Sequence, residues 1–205
     1  MAPRGWCDAC GHWSVPRSGY TCRVTQGLFL LTVGHGTLSE DQLAGLLQDA
    51  EVTLLVDVRS MPGSRHNPQV ARQRMERWLP AAGVAYRWEP RLGGRRAAPP
   101  DSPDTALRNR AFAGYAAWMR APEFTQAVDE LLDEARTART AVMCAETVWW
   151  RCHRRMIADF VTLARDAQVL HLRHDGRTDP HHVTSGVRLR DDGLLVYDAG
   201  TLFTA

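Results

Sequence analysis

The sequence has no lysine. All 25 of its lysine-plus-arginine positions are arginine. Every fixed side-chain positive charge therefore sits on a planar guanidinium, the group suited to bidentate binding of phosphate or carboxylate. A GC-rich genome accounts for the bulk of that count, so individual arginines carry weight only by position. The chain also has no apolar run near the roughly 20 residues that span a bilayer. Its opening, MAPRGWCDACGHW, lacks the uninterrupted apolar segment of a secretory signal. The expected setting is the cytoplasm, with no membrane partner. Net charge is only +2, too little for a strong non-specific DNA binder. No internal repeat occurs, and no linker divides the chain after residue 28. The five cysteines, Cys7, Cys10, Cys22, Cys144 and Cys152, are an odd number without an export signal, which argues for reduced thiols.

What is present is the balance of an ordinary globular protein. Hydrophobic residues make up 44% and charged residues 23% of 205 residues, which suits one domain with a sizeable core. Residues 1–27 stand apart: rich in Gly, Cys, Trp and Pro, without a period. Within them Cys7, Cys10, His12 and Cys22 are candidate zinc ligands. Their spacing is irregular, and an irregular extension is the preferred reading. No other cofactor is expected.

From residue 28 the pattern is regular. LFLLTV (28–33), TLLVDV (53–58), VAYRW (84–88), TAVMCA (140–145) and VLHLR (169–173) read as strands, the first as one buried on both faces. Between them lie helical patterns. Ser39 and Gln42 form a capping box ahead of Leu43, Leu46 and Leu47. Further helices are expected over 69–82, 110–120, 122–138 and 148–165. In the last, Met156, Ile157 and Phe160 face inward, while Arg151, Arg155 and Asp159 read as a solvated face. Asp-Asp-Gly at 191–193 predicts a hairpin turn. Strands alternating with helices predict an α/β domain over residues 28–205. It has three layers: a mostly parallel sheet of about five strands with helices on both faces.

Ligands bind outside the carboxyl ends of the strands in such sheets. Four successive strand ends here deliver polar or glycine-rich segments: Gly34-His35-Gly36, Asp57-Val58-Arg59 running on to Arg65-His66-Asn67, Gly93-Gly94-Arg95, and Cys144-Ala145-Glu146 leading to His153 and Arg154. A random scatter would not segregate in this way. Glycine loops let backbone N–H groups approach an anion. Cys144, between a strand and a helix start, is a candidate nucleophile or a buried small hydrophobe. Glu146 and Asp57 are candidate general acids or bases. Trp149 and Trp150 read as packing residues in preference to base-stacking platforms.

The motifs TVGHGT (32–37), LLVDVRSMPGSRHNP (54–68), LGGRR (92–96), NRAFAGYAAWMRAPEF (109–124) and MCAETVWWRCHRRMIADF (143–160) together resemble the bacterial and archaeal proteins grouped as domain-of-unknown-function family 488. The resemblance spans about residues 28–198, with Gly36 where serine is common. It implies a compact α/β domain whose signature residues sit together. It supports His35, Asp57, Arg59, Arg65, Asn67, Gly93, Gly94, Cys144, Glu146, His153 and Arg154 as the site, and it implies no reaction. LLVDVRS is also locally similar to rhodanese-like domains. Those place their cysteine in a C-x5-R loop, whereas Cys144 and Arg151 here give C-x6-R.

Two functions lead. In the first, Arg59, Arg65, Arg95 and Arg154 hold the phosphates of a nucleotide or short nucleic acid, Asp57 or Glu146 transfers protons, with His35 a further catalytic candidate, and a tryptophan or Tyr115 stacks on a base. In the second, Cys144 carries sulfur, acyl or phosphoryl transfer through a covalent intermediate. A metal site built from His35, Cys144, Glu146, Cys152 and His153 ranks lower, because C-x7-C-H matches no common zinc spacing. A non-catalytic interaction module is the remaining reading.

Overall fold

The computed structural model of the chain describes residues 5–6, 13–14, 27–63 and 67–199. Arg65 and the zinc candidates Cys7, Cys10, His12 and Cys22 lie outside the described residues. Within the extension, Gly5–Trp6 pairs antiparallel with Trp13–Ser14.

The centre of the domain is a six-stranded sheet. Its strands are β1 (Phe29–Gly34), β2 (Leu54–Asp57), β3 (Ala85–Trp88), β4 (Thr140–Cys144), β5 (Gln168–Leu172) and β6 (Thr178–Pro180), in the spatial order β3-β2-β4-β1-β5-β6. The first five are parallel, and β6 closes the edge antiparallel to β5. The expected count of about five thus becomes six. The added strand reads TDP, too short and polar to show in a hydrophobic pattern.

Helices α1 (Glu40–Asp49) and α2 (Arg72–Ala81) cover one face; α3 (Arg110–Trp118), α4 (Pro122–Ala135) and α5 (Arg154–Arg165) are the others. Alternate strand residues divide between two cores. Leu31, Leu55, Ala141 and Met143 join Leu43, Leu47, Met75 and Leu79. Leu30, Val56 and Val142 join Phe124, Leu131, Met156 and Phe160. Burial on both faces is what the unbroken apolar strand runs require. The capping box at Ser39 and Gln42 is present. The C-terminal hairpin pairs β7 (Val187–Leu189) with β8 (Leu195–Tyr197), its turn using Gly193 at φ +78°.

The helix expected over 148–165 is in two parts. A single 3-10 turn covers Trp149–Arg151, and α5 starts only at Arg154. The chain is extended at Cys152, with φ −114° and ψ 151°. That break sets Cys152 and His153 at the amino end of α5.

The segment 90–109 has little regular structure but is tied down. Buried Asp104 pairs with Arg120 at 2.8 Å and accepts the Tyr197 N–H. Tyr115 and Trp118 donate to the carbonyls of Leu92 and Arg91.

Connections β1–β2 and β2–β3 step across the sheet one way, and β3–β4 and β4–β5 step the other way. The connections that leave the neighbouring strands β2 and β4 diverge in opposite directions. That divergence leaves a crevice at their carboxyl ends, the usual ligand position in an open α/β sheet.

Candidate functional site

A cleft of about 650 Å³ lies at this crevice, within the usual range for small-molecule sites. Gly36, Arg59, Gly94, Arg95, Cys144, Glu146, Arg151, Cys152 and His153 are among its lining residues. Its floor is an extension of the sheet. His35 N–H donates to Cys144 O, and Gly36 N–H to Ala145 O, both at 3.0 Å, so the β1–β4 ladder continues past the strand ends. This close approach requires glycine, because a Cβ on Gly34 would overlap the Glu146 carbonyl oxygen. Gly36 adopts φ +52°, in the left-handed region.

Behind the cleft is a buried ionic group. Asp57, fully buried at the end of β2, accepts from Arg59 Nε at 2.8 Å, Arg59 Nη2 at 2.6 Å and Tyr86 O–H at 2.8 Å. Arg59 Nη2 also donates to Val70 O, and Nη1 to His35 Nε2 at 3.2 Å. With Nε2 accepting, His35 donates from Nδ1 to Gly36 O at 2.9 Å. Burial, with the adjacent Arg59 charge, lowers the His35 pKa to about 4. The imidazole is therefore neutral at neutral pH. Only Arg59 of these three lines the cleft, and much of its guanidinium is already bonded within the protein.

The second group is the thiols. Cys144 Sγ lies 3.7 Å from His153 Nδ1, and Cys152 Sγ lies 3.6 Å from the same nitrogen. Sequence reading placed Cys144 and His153 here but gave Cys152 only a minor part. The extended backbone at 152, which no periodicity reveals, swings its sulfur under Cys144. The hydrogen bond from the Cys144 thiol, with help from His153 and Arg154, holds the Cys152 thiol well below its usual range. The same bond and burial push Cys144 well above its own. Deprotonation is thereby favoured at Cys152 over Cys144, at the amino end of α5, where the helix dipole also favours an anion.

Arg154 explains part of that shift. It is 1% exposed, and among the described residues it forms no ion pair. Its Nη2 donates to the Glu146 carbonyl and its Nη1 to Thr32 Oγ1 at 3.4 Å, while Nε has no partner. A chain of hydrogen bonds leads onward. Thr32 Oγ1 lies 2.7 Å from His171 Nδ1, His171 Nε2 3.1 Å from His181 Nδ1, and His181 Nε2 2.9 Å from Asp159 Oδ1. Asp159 also accepts from Thr184 N–H and Tyr197 O–H. Because the carboxylate accepts, His181 donates from Nε2. Asp159 is fully buried, which corrects its reading as solvated: heptad position alone does not show three waiting donors. Burial, with His181 and Arg154 nearby, lowers the His171 pKa to about 3.

The remaining predicted residues divide. Glu146 is exposed at the mouth and accepts the Val148 N–H at 3.3 Å. Arg95 is exposed, with its N–H 3.3 Å from Ser60 Oγ. Asn67 begins the turn before α2 and is absent from the cleft wall. Gly93 and Gly94 allow their loop to press against Ser60 and His153. A Cβ on Gly94 would come 2.5 Å from His153 Nδ1. Gly94→Ala is therefore expected to lower stability by about 1–3 kcal/mol, the range for overpacking. Urea unfolding measures this; an unchanged midpoint would mean that His153 moves aside freely.

Cys144, Cys152 and His153 also form a set of donors within 4.8 Å of one another, the type that a soft ion such as zinc accepts. A family model described as "Domain of unknown function DUF488" matches residues 39–161. The chain belongs to this family. Four of the five motifs noted above fall wholly or largely inside the matched region; TVGHGT, which forms part of the cleft floor, precedes it. No curated protein and no solved structure matches the chain. Within the DUF488 domain, then, the match covers the thiol pair, His153, Arg154 and the Asp57–Arg59 pair.

Proposed function

We propose that the protein is an enzyme that works through a cysteine thiolate on a phosphate-bearing ligand. The observation that carries this reading is the convergence of two sulfurs on one imidazole nitrogen in the wall of the cleft. Cys152 is the nucleophile and Cys144 the neighbour that donates to it. Cys152 gives its thiol proton to His153 Nδ1, its sulfur attacks the electrophilic centre, the bond to the leaving group breaks, and His153 passes that same proton to the leaving group. Water then releases the enzyme-bound fragment as a hydrolase would, or a second acceptor takes it as in a transferase. Arg95 and Arg151, at the cleft wall, are the guanidinium groups open to phosphate. Arg59 and Arg154 work mainly inward, fixing His35 and the 146–147 backbone.

Two features favour a thiolate over a resident metal. A dication would sit beside the buried Arg154 charge, whereas a thiolate is drawn to it. Metal-bound histidines normally donate their second nitrogen to a partner, and His153 Nε2 has none among the described residues.

Alkylation with iodoacetamide near pH 6.5, followed by peptide mass analysis, tests the reading. Cys152 should label well before Cys144, and inorganic pyrophosphate should slow the labelling. One equivalent of tightly bound zinc in the purified protein, or equal labelling of both thiols, would overturn it.

A further inference from the structure

A second hollow adjoins the cleft. It measures about 480 Å³ and shares Asn109 and Phe112 with the first. Arg108, Trp149, Trp150 and Arg155 contribute much of its remaining wall, and among the described residues no carboxylate lines it. With Arg108 and Arg155 in it, this wall is suited to a ligand rich in acceptor oxygens. Arg155 is also held in place, its guanidinium 4.6 Å from the Phe112 ring centroid and donating to Trp150 O.

The two tryptophans differ. Trp149 stacks on His171, with centroids 4.0 Å apart and planes within 9°. That contact agrees with its reading as a packing residue. Trp150 is 53% exposed, against that reading, and meets Trp149 edge-on at 5.5 Å. It offers a large indole surface to the hollow and its surroundings.

We infer that the second hollow is a subsite for single-stranded nucleic acid, which places one nucleotide beside Trp150 while its neighbour occupies the thiol cleft. The inference rests on the reading that the first cleft holds a phosphate-bearing ligand. The Arg108 and Arg155 guanidinium groups take the phosphate between the two nucleotides, and the exposed Trp150 indole stacks on an unpaired base. An acidic peptide would satisfy the arginines but leave the indole without a flat partner. In a duplex the base faces are hidden. The shared wall at Asn109 and Phe112 gives the strand a short path from one hollow to the next.

The test is fluorescence anisotropy with a labelled six-nucleotide single strand, as DNA and as RNA, at two salt concentrations. ATP is titrated in parallel as a single-nucleotide probe. The strand should bind more tightly than ATP, and less tightly as salt rises. Trp150→Ala should weaken strand binding about 5- to 100-fold, the scale of one base–aromatic stack, and leave ATP binding unchanged. Arg108→Ala should weaken it and flatten the salt dependence. Trp150 is half-exposed, so its variant should keep the wild-type circular dichroism. Absent strand binding at low salt would overturn the subsite, as would binding indifferent to both substitutions or equal binding of polyglutamate. Cys152 labelling provides the separation from the proposed chemistry. Normal labelling preference without strand binding removes only the subsite; strand binding with equal labelling of the two thiols removes only the thiolate mechanism.

Discussion

The free energy of unfolding is expected to fall by about 4 kcal/mol between pH 7 and pH 5, a pH range in which most carboxylates stay ionised. The cause is two histidines buried in the neutral state. His35 is 4% exposed and His171 1% exposed, and their pKa values are lowered to about 4 and about 3 from an ordinary value of 6.5. The sign follows from which state takes up protons first. Below pH 6.5 the unfolded chain protonates both imidazoles while the folded protein protonates neither. Acid therefore draws the equilibrium toward unfolding until the folded pKa values are reached. One proton per histidine gives a slope near 1.4 kcal/mol per pH unit each. Urea unfolding at half-unit pH steps measures this directly. His35→Gln should remove about half of the slope. A flat profile from pH 7 to 5 would mean that these imidazoles gain protons in the folded state.

Asp57→Ala is expected to cost about 3–5 kcal/mol, the usual result of stranding a buried charge. Arg59 would keep its guanidinium 7% exposed with only Val70 O, Met75 Sδ and the weak acceptor His35 Nε2 as partners. Tyr86 O–H would lose its acceptor as well. Asp57→Asn separates charge from shape: it keeps one acceptor oxygen and should cost less. Leucine at both 57 and 59 would tell the ion pair from its parts, since replacing a whole buried pair by apolar groups is often nearly neutral. A loss below about 1 kcal/mol for Asp57→Ala would mean that water reaches Arg59 in the variant.

The sheet was legible because its parallel strands are buried on both faces, which leaves long apolar runs such as LFLLTV. The first helix was legible because Ser39 and Gln42 are three apart. The edge strand at Thr178–Pro180 was not, since two hydrogen-bonding polar residues and a proline give no pattern. The strand-end rule led to Asp57, Arg59, Cys144 and Gly94, because it needs only the order of elements. It did not show that Asp57 and Arg59 chiefly bind each other. Residues two apart at a strand end pair only when the chain turns there, and Arg59 is held in that turn by Val70 O, from the turn before α2, and by Met75 of α2. Nor did it reveal Asp159, His171 and His181. Their partners come from β1, the hairpin and the segment after β6, up to 139 positions away in sequence, and a single sequence holds no record of such meetings.

The continuation of the β1–β4 ladder into the loops makes the two sides of the cleft unequal in stiffness. The side that carries His35, Cys144 and the Glu146 carbonyl is fastened to the sheet by the same kind of bonds as the sheet itself, so it moves only when the whole domain core moves. The opposite side is joined differently: Arg95 reaches Ser60 and Met61 through bonds of 3.3 and 3.5 Å, and Met61 is 67% exposed. On the proposed function, a ligand would enter by that looser edge, with Cys144 held to the sheet on the other side.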